Sequence, residues 1–176
     1  ENVMLYPNLT GMENLAYFAT LAGCADTTSE YLREILTRAG LLEDAVDRPV
    51  GDYSKGMRQK VGIAMAMARR AALLLLDEPF LSLDTPVANH LRRMLLDLCA
   101  RRCATVLFVT HDLREALYLA DRVLFMSGGP GSIVLDLPID LPRPREPESE
   151  AVEELRLNLL KYHPKLLAGL VEEKNP

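Results

Sequence analysis

The chain has 176 residues, of which 49% are hydrophobic and 26% charged, and its formal net charge is −5. That length suffices for one domain burying roughly 70% of the surface its unfolded chain exposes, and the apolar share excludes a disordered polymer. The acidic balance argues against wholesale nucleic-acid binding, although local basic clusters exist, and no apolar run approaches the length of a membrane span.

Three cysteines, Cys24, Cys99 and Cys103, form no CxxC pair and no even framework, so structural thiols in a reducing compartment are expected. Cys99 and Cys103 fall one helical turn apart, but two thiols without a nearby His pair make a poor metal site. The chain opens on Glu1 rather than Met, in mid-pattern, which gives the expectation that the N-terminus of a longer protein is missing.

Leu5 to Thr10 is a proline-containing loop leading into a helix. Thr10 and Glu13 have capping-box spacing, and Met12, Leu15, Ala19 and Ala22 repeat at helical period up to Gly23. Thr27 with Glu30 repeats the box, and Leu32, Ile35, Leu36 and Ala39 form one apolar stripe closed by Gly40. Arg48 to Asp52 reads as a connector into Tyr53-Ser54-Lys55-Gly56-Met57, ahead of a long helix whose core face is Met57, Val61, Ala64, Met65 and Ala68. A hydroxyl, an ammonium and free N–H groups at one helix start make an anion site, although an ordinary capped helix with a solvated basic end fits the same residues.

Leu73-Leu74-Leu75-Leu76 then ends abruptly in Asp77-Glu78-Pro79. A short apolar run of this kind predicts a strand buried on both faces, and Pro79, which cannot donate to a ladder, stops it with two carboxylates at its C-terminal end. Ligands of open α/β sheets bind at that end, although the stretch alone reads equally as a core strand with a solvated acidic turn. After Ser82-Leu83-Asp84, Thr85 is the expected cap, with Pro86 at the first helical position and a stripe of Val87, Leu91, Met94, Leu95 and Leu98. Thr105 to Thr110 is a second buried strand with His111 at its C-terminal end, and Asp112 with Glu115 caps the following helix. Arg122 to Met126 and Ile133 to Leu135 predict a hairpin around Ser127 to Gly131, and Leu141 to Pro147 predicts a stiff, exposed segment. A terminal helix carries Val152, Leu155 and Leu159 on one side.

Taken in order, these signals resemble the nucleotide-binding subunit of ATP-binding cassette (ABC) transporters. Tyr53 to Met57 is similar to that family's signature, usually written LSGGQ; Leu73 to Asp77 resembles its Walker B strand, with Glu78 in the place of the catalytic glutamate. Ser82-Leu83-Asp84 resembles the D-loop and His111 the switch histidine. Each motif alone is weak, and the ordered set of four is strong. The resemblance implies an α/β fold, part of a RecA-like P-loop NTPase parallel sheet with an α-helical subdomain. It implies residues 1–52 as the end of the Q-loop and the helical subdomain, 53–145 as signature helix and catalytic core, and 146–176 as a C-terminal helical extension.

The same resemblance implies ATP and Mg²⁺ as cofactors, with Asp77 holding the metal through water and Glu78 activating the attacking water. His111 would touch the γ-phosphate. Ser54, Lys55 and Gly56 would face ATP held by a second cassette subunit, and Ser82 and Asp84 would link the two sites. A transmembrane permease, a second ATPase subunit and a substrate-binding protein are the implied partners, nucleic acid is not one, and the cytoplasmic face of a bacterial or archaeal membrane is the implied place. Lys55 and Met57 depart from the consensus Gly and Gln, and no GxxxxGK(S/T) loop occurs in the sequence. The opening and signature look exporter-like, whereas the hairpin followed by Leu141-Pro142-Arg143-Pro144-Arg145 is similar to cassettes importing nitrate, sulfonates or taurine. Direction and cargo stay open. Two other readings fit less well: a soluble ABC ATPase of translation or DNA repair, and a non-catalytic cassette, which would have no need of Glu78 and His111.

The phosphate loop would supply both the backbone cradle and the lysine for the β- and γ-phosphates. The 176-residue chain by itself is therefore expected to bind Mg-ATP weakly. Calorimetric titration with a non-hydrolysable analogue checks this, and micromolar binding, about −8 kcal/mol, would contradict it.

Overall fold

Thr10 starts the first helix as its spacing predicts. Its hydroxyl accepts from the Glu13 N–H at 3.1 Å while the Glu13 carboxylate accepts from the Thr10 N–H at 2.8 Å, closing the capping box of α1 (Gly11–Leu21). The next cap falls one residue later than expected. The Asp26 carboxylate accepts from both the N–H and the hydroxyl of Thr28, fixing Thr28 rather than Thr27 as the cap of α2 (Ser29–Arg38). Those two bonds hold the Asp26 carboxyl below its ordinary range.

In this computed structural model the described residues are 4–102, 105–128 and 131–163. The chain divides into two compact units, Glu1–Val109 and Thr110–Pro176. In the first unit, α1 and α2 are followed by the short α3 (Glu43–Val46), which the periodicity does not announce, a single 3₁₀ turn at Val50–Asp52, and α4 (Lys55–Ala68). Leu15, Leu32, Ile35, Leu36, Val46, Val50, Val61 and Ala64 are buried in one cluster, to which Leu98 also belongs. Each large member contributes about 1.5–3 kcal/mol through removal from water. Met67 is buried in place of the expected Met65, and Met65 packs against the cluster half-buried.

β1 (Leu73–Asp77) pairs in parallel with β2 (Thr105–Val109), in a register that places Leu73 beside Thr105 and Asp77 beside Val109. Between them runs α5 (Thr85–Arg102). The expectation of strands buried on both faces is corrected. Leu73, Leu75, Leu107 and Val109 are 64, 69, 53 and 48% exposed, so one face of this two-stranded sheet lies open. The other face carries Leu74, Leu76, Val106 and Phe108 half-buried, with Leu74 against the helical core. A parallel strand needs a layer on each side to be wholly buried, and the described residues of this unit cover one.

The second unit contains α6 (Leu113–Leu119), β3 (Arg122–Met126), β4 (Ile133–Pro138) and α7 (Glu150–Tyr162). The two strands form the expected antiparallel hairpin, irregular between Phe125 and Met126, with Arg122 clasping Asp136 across it. Gly129 and Pro130 of its turn lie outside the described residues. Leu117, Ile139, Val152 and Leu159 are the buried core, and Leu113, Val123, Phe125, Leu135, Leu137, Leu141 and Leu155 pack on it. The segment after the hairpin is not simply exposed as expected. Arg145 is 7% exposed and bound to backbone carbonyls, because the chain needs a cation where α6 presents its terminal oxygens.

Cys24 and Cys99 are half-buried and carry no disulfide, whereas Cys103 lies outside the described residues. Among the described residues no helix is long and apolar enough to cross a membrane.

Asn14, wholly buried in α1, ties the entering loop to the helix. Its amide donates to the carbonyls of Tyr6, Leu9 and Thr10 at 2.9–3.2 Å, and its oxygen accepts from the Tyr6 N–H at 2.8 Å. Asn14→Ala leaves those groups unpaired away from water and is expected to cost about 2–4 kcal/mol, read by urea denaturation. A loss under about 0.5 kcal/mol would show that the loop finds other partners.

Candidate functional site

The two carboxylates of the Leu-rich run stand where the strand ends. Asp77 is the last residue of β1 and exposed, and Glu78 continues the parallel ladder by one bond, its N–H donating to the Val109 carbonyl at 3.0 Å. The chain then reverses. Glu78 has φ 43° and Ser82 φ 63°, both in the left-handed region that non-glycine residues seldom occupy. The Leu81 N–H closes the turn on the Glu78 carbonyl at 3.1 Å, and Pro79 and Phe80 are buried inside it. The Phe80 ring lies 5.7 Å from that of Phe108 on β2, and the Arg92 guanidinium of α5 sits 5.1 Å from the Phe80 ring centroid.

The turn hands over to α5 through Asp84, whose carboxylate accepts from the Val87 N–H at 3.0 Å. This corrects the expected cap. Asp84 rather than Thr85 fills that role, and Pro86 therefore occupies the second helical position, since α5 begins at Thr85. Three of the expected residues, Glu78, Ser82 and Asp84, thus share one tight reversal, with Asp77 immediately ahead of it.

Ser54 caps α4, its hydroxyl accepting from the Met57 N–H at 3.3 Å. It is exposed, Lys55 half-buried and Gly56 buried. Gly56 has no room for a side chain: a Cβ there would come 2.7 Å from Cγ1 of Val87 and 3.7 Å from Cδ2 of Leu83. The start of α4 is thereby packed on the turn and helix that follow Glu78. Tyr53, directly ahead of it, is buried and donates its hydroxyl to the Ala45 carbonyl at 2.5 Å. Burial raises its pKa, and a Cβ on Gly11 would collide with its hydroxyl.

His111 opens the second unit. It is exposed and lines a cleft of about 280 Å³ with Asp112, Leu113, Arg114 and Arg156. Asp112 caps α6 as expected, accepting from the Glu115 N–H at 3.2 Å. The Glu115 carboxylate does not return to the cap backbone; it accepts from the Thr110 hydroxyl at 2.8 Å, and that hydroxyl accepts from the Asp112 N–H at 3.1 Å.

For Mg²⁺, the chemistry of the donor set can be judged. Among the described residues no group of three or more His, Cys, Asp or Glu converges as a protein-only metal cage. Mg²⁺ asks for less, being held by one or two carboxylates together with waters and phosphate oxygens, and the exposed Asp77 at a strand tip fits that need.

Sequence reasoning does not anticipate the packing made by Gly11, Tyr53, Phe80 and Val87 in the first unit, nor the buried carbonyl bonds of Arg145 in the second. Tyr53, Val87 and Arg145 are visible as members of a motif, an apolar stripe and a proline-rich segment, and Gly11 and Phe80 only by their places inside a capping box and directly after Glu-Pro.

Residues 16–116 match the family described as "AAA domain, putative AbiEii toxin, Type IV TA system". The chain is 38% identical over 156 residues to the bicarbonate transport ATP-binding protein CmpC of Synechocystis sp., covering 87% of this chain and 23% of that protein. It is 36% identical over 170 residues to the aliphatic sulfonates import ATP-binding protein SsuB of Bacillus cereus, covering 96% and 65% respectively. A solved structure, the dimeric post-hydrolysis state of the ATP-binding cassette MJ0796 bound to ADP and Pi, superposes with a TM-score of 0.69 at 25% identity. That match covers 81% of this chain and 62% of the other. The chain spans less than two thirds of the length of each of these proteins.

The contact at Gly56 is testable by a compensating pair. Gly56→Ala is expected to cost about 1–3 kcal/mol by overpacking against Val87, and Val87→Ala in the same chain to return most of the loss. Thermal or urea unfolding of the two single variants and the double reads it. Strictly additive losses would show that the two sites do not meet.

Proposed function

The chain belongs to the AAA-domain family matched by residues 16–116, its kin are the ATP-binding cassettes of ABC transporters, and from that premise we propose that it forms part of a transporter's ATP-binding subunit. ATP hydrolysis in that subunit drives a substrate through a partner permease. The observation that carries this reading is the strand tip: two successive carboxylates at the C-terminal end of a parallel strand, the second held out of line by a left-handed backbone.

In this reading Asp77 holds Mg²⁺ through water. The bound ion would neutralise charge on the β- and γ-phosphate oxygens, and the protein supplies position. Glu78 orients the attacking water and takes its proton, and His111 contacts the γ-phosphate as hydrogen-bond donor. At the start of α4, Ser54 and the Gly56 amide cradle the γ-phosphate of ATP held by a second cassette subunit. Lys55 adds a positive charge that the family consensus lacks. Ser82 and Asp84 lie at the junction of the two subunits. Residues 1–52 act as the end of the Q-loop and the helical subdomain, 53–145 as signature helix and catalytic core, and 146–176 as an extension.

The subunit works on the cytoplasmic face of a bacterial or archaeal membrane, with the permease and a substrate-binding protein as partners. The names of CmpC and SsuB, transport of bicarbonate and import of aliphatic sulfonates, favour import of a small oxyanion as the finer reading.

Glu78→Gln keeps the shape of the side chain but cannot accept a proton. In a complete cassette carrying this sequence it is expected to leave ATP binding intact and to slow hydrolysis by roughly 10²–10⁴-fold, the usual worth of a positioned general base. Phosphate release from the purified subunit measures it. Hydrolysis at the unsubstituted rate would remove Glu78 from that role.

A further inference from the structure

Arg145 has an unusual set of partners. The residue is 7% exposed, and its guanidinium bonds go to backbone carbonyls: Nη1 donates to Leu117 at 3.1 Å and Ala120 at 2.5 Å, and Nη2 to Ile139 at 3.1 Å and Leu141 at 2.9 Å. Nε donates to Leu141 at 3.1 Å, so the bonds match in number the five N–H donors that an arginine has. Beside it, Arg143 donates to the Leu119 carbonyl at 2.6 Å and to the Asp121 carboxylate at 2.8 Å. Burial, with Arg143 nearby, lowers the Arg145 pKa.

A buried cation is costly unless its surroundings supply negative charge. Three of the carbonyls concerned, those of Leu117, Leu119 and Ala120, are the terminal oxygens of α6, where a helix has unpaired acceptors and the negative end of its dipole. The segment 141–145 is therefore a strap tied to the C-terminal end of α6 by two guanidinium groups. A lysine has three donors on a compact ammonium and cannot reproduce the planar fork.

The other end of α6 carries His111. The helix has seven residues, about 10 Å of rigid rod. Its start is locked to the residues flanking the histidine: Thr110 bonds both the Asp112 N–H and the buried Glu115 carboxylate, and Asp112 bonds the Glu115 N–H. A helix fixed at both ends transmits a displacement at one to the other. α6 is held further by Leu117 and Leu113 in the core it shares with α7, and by a partly exposed ion pair from Arg114 to Glu153 on α7 at 2.9 Å, which holds less firmly.

We propose that Arg143 and Arg145 are positioning residues for His111, setting through α6 where its imidazole meets phosphate. This rests on the assignment of His111 above and adds the device that aims it. Neither arginine touches nucleotide in this scheme, and binding of ATP does not depend on them.

The test is a double-mutant cycle on ATP hydrolysis by the complete subunit assembled with its permease. Arg145→Lys is expected to lower kcat about 10-fold with KM for ATP within about 2-fold, the scale of a misplaced contact group. In a His111→Ala background the same substitution is expected to change kcat by less than about 2-fold, because the residue it positions is already gone. An equal loss in both backgrounds, or an unchanged kcat in the first, overturns the proposal while leaving the functional reading intact. A His111→Ala variant with unchanged turnover overturns the functional reading of His111 and this proposal with it. Should Arg145→Lys not fold, Arg143→Gln enters the same cycle with an expected loss of about 3-fold, and the same results support or overturn the proposal.

Discussion

The reversal at Glu78 is the constraint on which the first unit depends. Its N–H still belongs to the sheet, bonded to Val109, while its carbonyl already belongs to the turn, bonded to Leu81. Both bonds are kept only if the backbone passes through the left-handed region, which for a residue with a Cβ costs about 1–2 kcal/mol. Pro79 follows with its φ fixed and no donor to lose, so the strand cannot continue and the reversal has no competitor. The cost is met by packing: Phe80 is buried against Phe108 under the Arg92 guanidinium. The backbone conformation at Glu78 is therefore supported by an aromatic ring two residues away.

The same turn organises the start of α4. Asp84 ends the reversal and caps α5, which puts Val87 one turn into that helix, and Val87 with Leu83 receives Gly56. A glycine is favoured because a Cβ at position 56 would come 2.7 Å from Cγ1 of Val87, a stiff β-branched side chain. The turn that follows the strand tip and the start of α4 meet where Gly56 packs on Leu83 and Val87. In the proposed function they serve two different nucleotides, so a movement at one is felt at the other by direct packing rather than through a long path.

The caps and stripes are legible in the sequence where local chemistry decides them. Thr10 with Glu13 and Asp112 cap their helices as spacing alone predicts, Ser54 caps α4 as the alternative to an anion site had it, and β1 ends where Asp77 gives way to Glu-Pro. Expectation and structure part where a second side chain overrides the first. Asp26 captures Thr28 and moves a helix start by one, and Asp84 takes the cap from Thr85. The leucine run correctly announces a parallel strand, but burial on both faces depends on neighbours that a run of letters cannot specify, and here Leu73 and Leu75 are open. Arg145 is illegible for a related reason. Arginine among prolines reads as solvated, and its partners are carbonyls, which carry no sequence identity.

Within each unit, exposure and close packing fall on different residues. In the proposed function, Ser54, Asp77, Ser82, Asp84 and His111, which would meet nucleotide or a second subunit, are exposed and Lys55 and Glu78 half-buried, whereas neighbours such as Tyr53 and Phe80 in the first unit and Glu115 in the second are buried. Reactive groups must reach a ligand, and so they are held by few contacts of their own. Their positions are stored instead in close-packed neighbours, where a shift of one methylene is resisted by every surrounding atom. Motif reading recovers the first class because side-chain type is what a motif records. It does not recover the second, because Phe80 matters by its ring stacking, Gly56 by what it lacks, and Arg145 by five bonds to backbone. In the proposed function, a change at Phe80 or Arg145 alters turnover without altering a group assigned to nucleotide.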